Sequence, residues 1–212
     1  MSLNQKRFSH LFLGLSLVLC TITIFHAGAS AVHAMSGSAI LTENHTNSNN
    51  SKQIEDLSNV AVGNILAFPV VQQPVNNPGY VSTNNGEITE FRLATQFGNI
   101  GLLAHNHLAG QTFSQLSIGQ EVRLTYSDGH MEYFIISKIL QYQALQPNSA
   151  YSSFKDLKTN ELLTAEQLFN KVYSGDRHVT FQTCIEANGN ASWGRLFIMA
   201  TPKKNPLQII LE

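Results

Sequence analysis

The chain is predicted to be mainly β, folding as a closed or nearly closed β-barrel with one or two short helices, and three observations carry that prediction. Short runs alternate apolar and polar residues, as where Val122, Leu124 and Tyr126 alternate with Arg123 and Thr125, which is the period of a strand with one buried face. Turn-forming Asn, Gly, Pro and Asp recur between the runs, at 76–79, 84–86, 128–129 and 188–190, where they supply the backbone conformations that turns demand. Only one stretch, 164–173, changes to a helical period, with Leu168 and Val172 four apart, Thr164 as cap and Gly175 as stop. Many short strands of this kind avoid exposed edges by closing on themselves.

Composition narrows the partners. The 212 residues carry a formal charge of −1 and only 13% charged side chains, and no Lys/Arg-rich run follows Arg7. No nucleic-acid partner is expected, because the electrostatic footprint for a phosphate backbone is missing. The length suits one domain of about 150 residues with something N-terminal to it. Two cysteines are present, Cys20 and Cys184. Cys20 lies in an apolar segment, so no disulfide framework is expected in the folded part and Cys184 is read as a thiol.

Residues 1–34 read as a signal peptide or N-terminal membrane anchor. Lys6 and Arg7 precede the uncharged apolar run 11–25, which is short for a membrane span of about 20 residues, and small residues follow at Ala27, Ala29, Ala31 and Ala34. An uncleaved anchor over 11–32 is the competing reading. Residues 35–58 are rich in Ser, Asn and Thr and read as a flexible linker, because such a stretch buries too little apolar surface to offset its ordering entropy. The folded domain is placed at 59–212.

Within that domain, 61–71 is apolar but interrupted by Gly63 and Pro69, which suits an edge strand. A hairpin is expected over 80–94 around Asn84, Asn85 and Gly86. The run 99–105 has a continuous apolar core, Ile100 to Ala104, and delivers His105 where the strand meets a loop. The strand at 121–127 and the long strand at 130–142 are joined by Asp128 and Gly129, a type I′ signal. A helix over 164–173 comes next, then the strand that holds Cys184, and a last short strand is expected at 207–211 after Pro206.

The stretch around Cys184 carries the chemistry. Val179, Phe181 and Thr183 fall on one strand face and Thr180, Gln182 and Cys184 on the other. After the Asn/Gly turn, a second alternating run sets Arg195, Phe197 and Met199 against Leu196, Ile198 and Ala200, which brings a permanent cation back beside the sulfur across a hairpin. His178 reads as a surface residue at the start of the strand. A buried inert cysteine is the bland alternative, but reactive thiols favour electropositive surroundings.

This arrangement resembles the sortases, cysteine transpeptidases of bacterial cell surfaces, whose nucleophile closes a Thr-Leu-x-Thr-Cys motif and whose arginine lies on the next strand. Here the motif is Thr180, Phe181, Gln182, Thr183, Cys184, with Phe181 in place of leucine. The family's histidine ends an apolar strand, as His105 does after Gly98 to Ala104. The resemblance covers roughly residue 64 to the C-terminus.

It implies a sortase-like barrel of about eight strands and three catalytic residues. Cys184 would attack the carbonyl of a sorting-signal peptide, Leu-Pro-x-Thr-Gly-like, to form a thioacyl-enzyme. His105 would act as general acid and then base, and Arg195 would stabilise the oxyanion or position substrate backbone. A cell-wall precursor or pilin amine would then accept the acyl group, at the bacterial cell surface, with the N-terminal segment holding the membrane if uncleaved. Two other functions stay open: an exported non-catalytic sortase-like binding module, and a cysteine hydrolase without transfer. His107 competes with His105, since the two share a strand face. A zinc site of His105, His107 and Cys184 lacks a fourth ligand and leaves Arg195 unexplained. No cofactor or metal is expected; calcium occurs in some sortases, yet no Asp/Glu cluster argues for it.

Overall fold

A computed structural model describes residues 56–204. The expected signal or anchor, nearly all of the linker and the strand at 207–211 lie outside the described residues. Among those described, ten strands form one sheet. They are β1 Leu57–Val62, β2 Leu66–Gln72, β3 Ile88–Glu90, β4 Ile100–Leu103, β5 Glu121–Tyr126, β6 Met131–Ala144, β7 Phe154–Asp156, β8 Leu162–Leu163, β9 Val179–Ala187 and β10 Asn190–Pro202. Helix α1 spans Arg92–Thr95 and α2 spans Ala165–Tyr173, with a 3-10 helix at Ala109–Gln115. The order β10-β9-β4-β3-β2-β1-β5-β6 is closed by pairing of β6 with β10, which makes an eight-stranded barrel, and β7 and β8 continue from β6 outside the ring. The expected barrel is present.

The period-2 pattern sorts side chains into two cores. Val60, Val62, Leu102, Val122, Leu124, Phe181, Leu196 and Ile198 point into the barrel and are buried together with Phe113 of the 3-10 helix, which packs edge-on against Phe181 at 5.2 Å between ring centroids. The opposite face of β4, β9 and β10 is covered by α1 and α2, where Leu103, Phe197 and Met199 meet Phe91, Leu168, Phe169 and Tyr173. Each fully buried side chain of this kind contributes about 1.5–3 kcal/mol. Helix α2 starts in a capping box: the Thr164 hydroxyl accepts from the Gln167 backbone N–H at 3.2 Å, and the Gln167 amide oxygen accepts from the Thr164 N–H at 2.8 Å. A cap of this type is worth about 1 kcal/mol.

Three local expectations are corrected. Residues 61–71 are not one edge strand, because Gly63 in the left-handed region (φ 50°) turns the chain and β1 and β2 pair with each other inside the ring. Pro69 is tolerated there since β3 begins to pair with β2 only at Val70. The hairpin expected over 80–94 does not form: β3 runs parallel to β2, and Glu87 at the turn instead accepts from Ser82 Oγ and Asn84 Nδ2. Of Asp128 and Gly129 only Gly129 has positive φ, so the β5–β6 turn is not type I′, which needs both. The two-residue turn at Asn188 (φ 53°) and Gly189 (φ 73°) does have it.

Candidate active site

Of the three sequence-predicted residues, Cys184 and Arg195 lie on the adjacent strands β9 and β10, and His105 lies just past the end of the neighbouring β4. In the β9–β10 hairpin, Cys184 stands directly opposite Arg195. On the other side of β9, parallel β4 pairs Leu103 with Gln182, an offset of 79 residues (182 − 103). The same offset carries past the end of β4 through the ladder bond from Ala104 N to Gln182 O, 3.2 Å, and so sets His105 beside Cys184. The lateral row is His105, Cys184, Arg195. Cys184 is not at the end of its strand, since β9 runs on to Ala187.

Both threonines of the motif are structural ties. Thr180 Oγ1 donates to Val172 O at 2.7 Å, fastening the cysteine strand to the end of α2. Thr183 Oγ1 donates to Ala104 O at 2.8 Å, fastening it to the residue before His105. The His105 loop is tied again where Asn106 Nδ2 donates to Ala191 O at 3.1 Å, and where the His105 carbonyl accepts from Leu108 N and Gly110 N, both at 3.0 Å. Position 110 has no room for a side chain: a Cβ there would stand 2.6 Å from His105 O and 2.9 Å from Ala104 O, and would also strike Thr183 Oγ1. Gly110→Ala is therefore expected to cost about 1–3 kcal/mol of stability, and Thr183→Val a similar amount by leaving a buried carbonyl unpaired. Thermal melts check this; a Gly110→Ala protein with the wild-type melting temperature would show that the loop is not held as described.

A small pocket opens at the pair, lined by Val81, Leu103, Ala104, His105, Gln182, Thr183 and Cys184, with about 220 Å³ of empty space, open mouth included. Arg195 is not among its walls. The Arg195 side chain is 1% exposed, its Nη1 donates to Ser192 O and Gly194 O at 2.9 Å each, and its buried Nε has no hydrogen-bond partner. No carboxylate pairs with it among the described residues, and burial pushes its pKa down to about 10. Burying the guanidinium carries a desolvation cost that no opposite charge among the described residues offsets.

Burial lowers the His105 pKa, and the neighbouring His107 charge lowers it further, while a hydrogen bond to the Val81 backbone opposes both. The two imidazole centroids are 5.4 Å apart, but only His105 lines the pocket and His107 is exposed. His178 is not a surface residue: it is 5% exposed, with Nδ1 at 2.7 Å from Asp176 O and Nε2 at 2.9 Å from Val172 O. Among the described residues no group of three or more metal-ligating side chains converges. The Cys184 sulfur is disulfide-bonded in the structure, where the sequence predicts a thiol. Only the reduced sulfur can act as a nucleophile, so a thiol reductant is needed for any chemistry at this residue.

Two features of the site escape the sequence. Gly110 and the Tyr173–Gln182 pair, whose hydroxyl donates to the amide oxygen at 2.6 Å, depend on contacts that no local pattern announces. Among the described residues no helix is long and apolar enough to cross a membrane.

No protein-family model matches the chain, and no curated protein matches it. Among solved structures it is similar to sortases. Sortase C1 of Streptococcus agalactiae is 14% identical, with 71% of this chain and 70% of that one covered and a TM-score of 0.43. The sortase D5 transpeptidase of Clostridium perfringens is 13% identical over 70% of this chain and 79% of that one, TM-score 0.45. Sortase A of Listeria monocytogenes is 12% identical over 71% and 88%, TM-score 0.45.

Proposed function

We propose that this protein is a sortase-type cysteine transpeptidase, and the row His105, Cys184, Arg195 across β4, β9 and β10 is the observation that supports the reading most. Burial holds His105 as neutral imidazole near neutral pH, so the reduced pair starts as thiol and base rather than as an ion pair. As the sulfur attacks the scissile carbonyl, its proton passes to His105. The S–C bond forms, the C–N bond breaks, and His105 returns the proton to the leaving amine. The acceptor amine then reverses the sequence: it attacks the thioester, gives its proton to His105, and the thiol is restored. The substrate is a Leu-Pro-x-Thr-Gly-like sorting signal, the acceptor a cell-wall precursor or pilin amine, and the place of work the bacterial cell surface, with residues 1–34 as signal or anchor.

Arg195 is the member whose role is least direct. Its donors face carbonyls of its own hairpin, so contact with an oxyanion requires the side chain to turn toward the pocket when peptide binds. Arg195→Lys is expected to lose about 10²-fold or more in kcat, the scale of one lost oxyanion donor, because lysine keeps the charge without the planar fork. Arg195→Met should lose activity while raising stability by about 0.5–2 kcal/mol, since it relieves a buried unpaired charge. Full activity in Arg195→Lys would remove the residue from the chemistry.

The same burial of Arg195 favours a second reading, a non-catalytic binding module. Mass spectrometry of the purified protein with Leu-Pro-x-Thr-Gly-like peptides and an amine acceptor separates the two. Cleavage with amine transfer, absent in Cys184→Ala, supports the transpeptidase, and cleavage without transfer a cysteine hydrolase. Peptide binding with no cleavage in wild type would sink the enzyme and leave the module.

A further inference from the structure

We propose that Gln182 is a specificity-determining residue that selects a peptide bearing a side-chain carbonyl or carboxylate oxygen within about two residues of the scissile bond. The inference rests on the transpeptidase reading for the identity of the ligand as a peptide. Gln182 lies two residues before Cys184 on the same face of β9 and lines the same pocket, so its Cβ is about 6–7 Å along the strand from that of the cysteine. Its amide oxygen is already taken by the Tyr173 hydroxyl at 2.6 Å, and Tyr173 is 1% exposed and locked in the aromatic layer, with ring centroids 5.2 Å from both Phe91 and Phe169. That bond sets which way the carboxamide points. The oxygen faces α2, and the two N–H donors are left on the pocket side.

Nothing among the described residues answers those donors. The amide nitrogen has no acceptor among the described residues, and the cross-strand neighbours of Gln182 are Leu103 on β4 and Phe197 on β10. The residue is only 5% exposed, yet its nitrogen is not among the buried polar atoms without a partner; it opens on the pocket, where a bound ligand that covers it must also answer it. The remaining side-chain N–H donor on the pocket walls is His105, which the proton transfer already uses. A ligand oxygen would take the place of solvent on that donor, whereas a wholly apolar peptide would bury the donor without an acceptor, which is how a polar site rejects an apolar isostere.

The test is a series of Leu-Pro-x-Thr-Gly peptides in which each position in turn is Asn or the near-isosteric Leu. At one position wild type should prefer Asn by about tenfold in kcat/KM, the ratio one net hydrogen bond gives. Gln182→Met should bring that ratio near one, and Tyr173→Phe should lower it in the same direction while keeping the glutamine. An unchanged ratio in Gln182→Met, or a preference for Leu at every position in wild type, overturns the inference. A second readout serves if wild type cleaves no peptide: the Gln182 side-chain amide NMR signal of Cys184→Ala, identified by its absence when Gln182→Met is added. A shift with an Asn peptide and none with its Leu counterpart sustains the role of Gln182 while the transpeptidase fails; no shift with either overturns both.

Discussion

Cys184→Ala is expected to reduce peptide cleavage and transfer by about 10⁴-fold or more, to the level of unassisted reaction, with the barrel intact. Of the other groups on the pocket walls that could attack a carbonyl, His105 serves as the base and Thr183 is turned away to donate to Ala104 O at 2.8 Å, which leaves the reduced sulfur of Cys184. Removing a nucleophile that forms a covalent intermediate removes the reaction path itself rather than a fraction of its rate. The fold should tolerate the change, because a small apolar side chain replaces another among Leu103, Ala104 and Val81. Measured under reductant, circular dichroism and the melting temperature of the variant should lie near those of wild type. Residual turnover within tenfold of wild type would mean that the acyl group is carried elsewhere, and the proposed mechanism would be abandoned.

His105→Ala should lower kcat/KM by about 10²–10⁴-fold, the range for a lost acid–base group, whereas His107→Ala, on the exposed side of the loop, should change it by less than about threefold. The pH dependence gives a second handle. Folding holds the His105 pKa below its ordinary value of 6.5, so the unfolded chain binds its proton more readily than the folded one. Stability from this group is fully present above the unfolded value and falls as pH drops from about 6.5 toward the lower folded value. Denaturant melts between pH 7.5 and 5 should show wild type losing stability more steeply than His105→Gln over that window. Parallel slopes for the two proteins would show that His105 titrates as it does in the unfolded chain. Equal losses of activity from both histidine variants, restored by added zinc, would replace the acid–base role with a metal site.

How much of this was legible in the sequence depends on the range of the contacts involved. The β9–β10 hairpin was readable because Asn188 and Gly189 favour the positive φ they adopt, and the alternation on either side then sets Cys184 against Arg195. Helix α2 was readable from its cap and its period. The parallel pairing of β4 with β9 was not, since nothing within either strand selects a partner 79 residues away; only the resemblance to a known family put His105 next to the thiol. For the same reason the sequence suggested a hairpin at 80–94, where local turn residues compete with a parallel partner, β2, that local signals cannot see. The burial of Arg195 on its own carbonyls was equally hidden, because charge and strand parity place the guanidinium beside Cys184 but do not say which way it points.

The long reach of the β4–β9 pairing has a kinetic side. Contacts between near neighbours in the chain, such as the turns at 127–130 and 188–189, close quickly, whereas a parallel pair spanning 79 residues must wait for much of the intervening chain to be ordered. His105 and Cys184 therefore meet late, after the hairpins that flank them. A chain that is still only partly folded carries the sulfur without its base, and so passes that interval chemically quiet. Onset of Cys184 reactivity toward a peptide electrophile, followed during refolding, would consequently report the last stage of barrel closure rather than the first collapse of the chain.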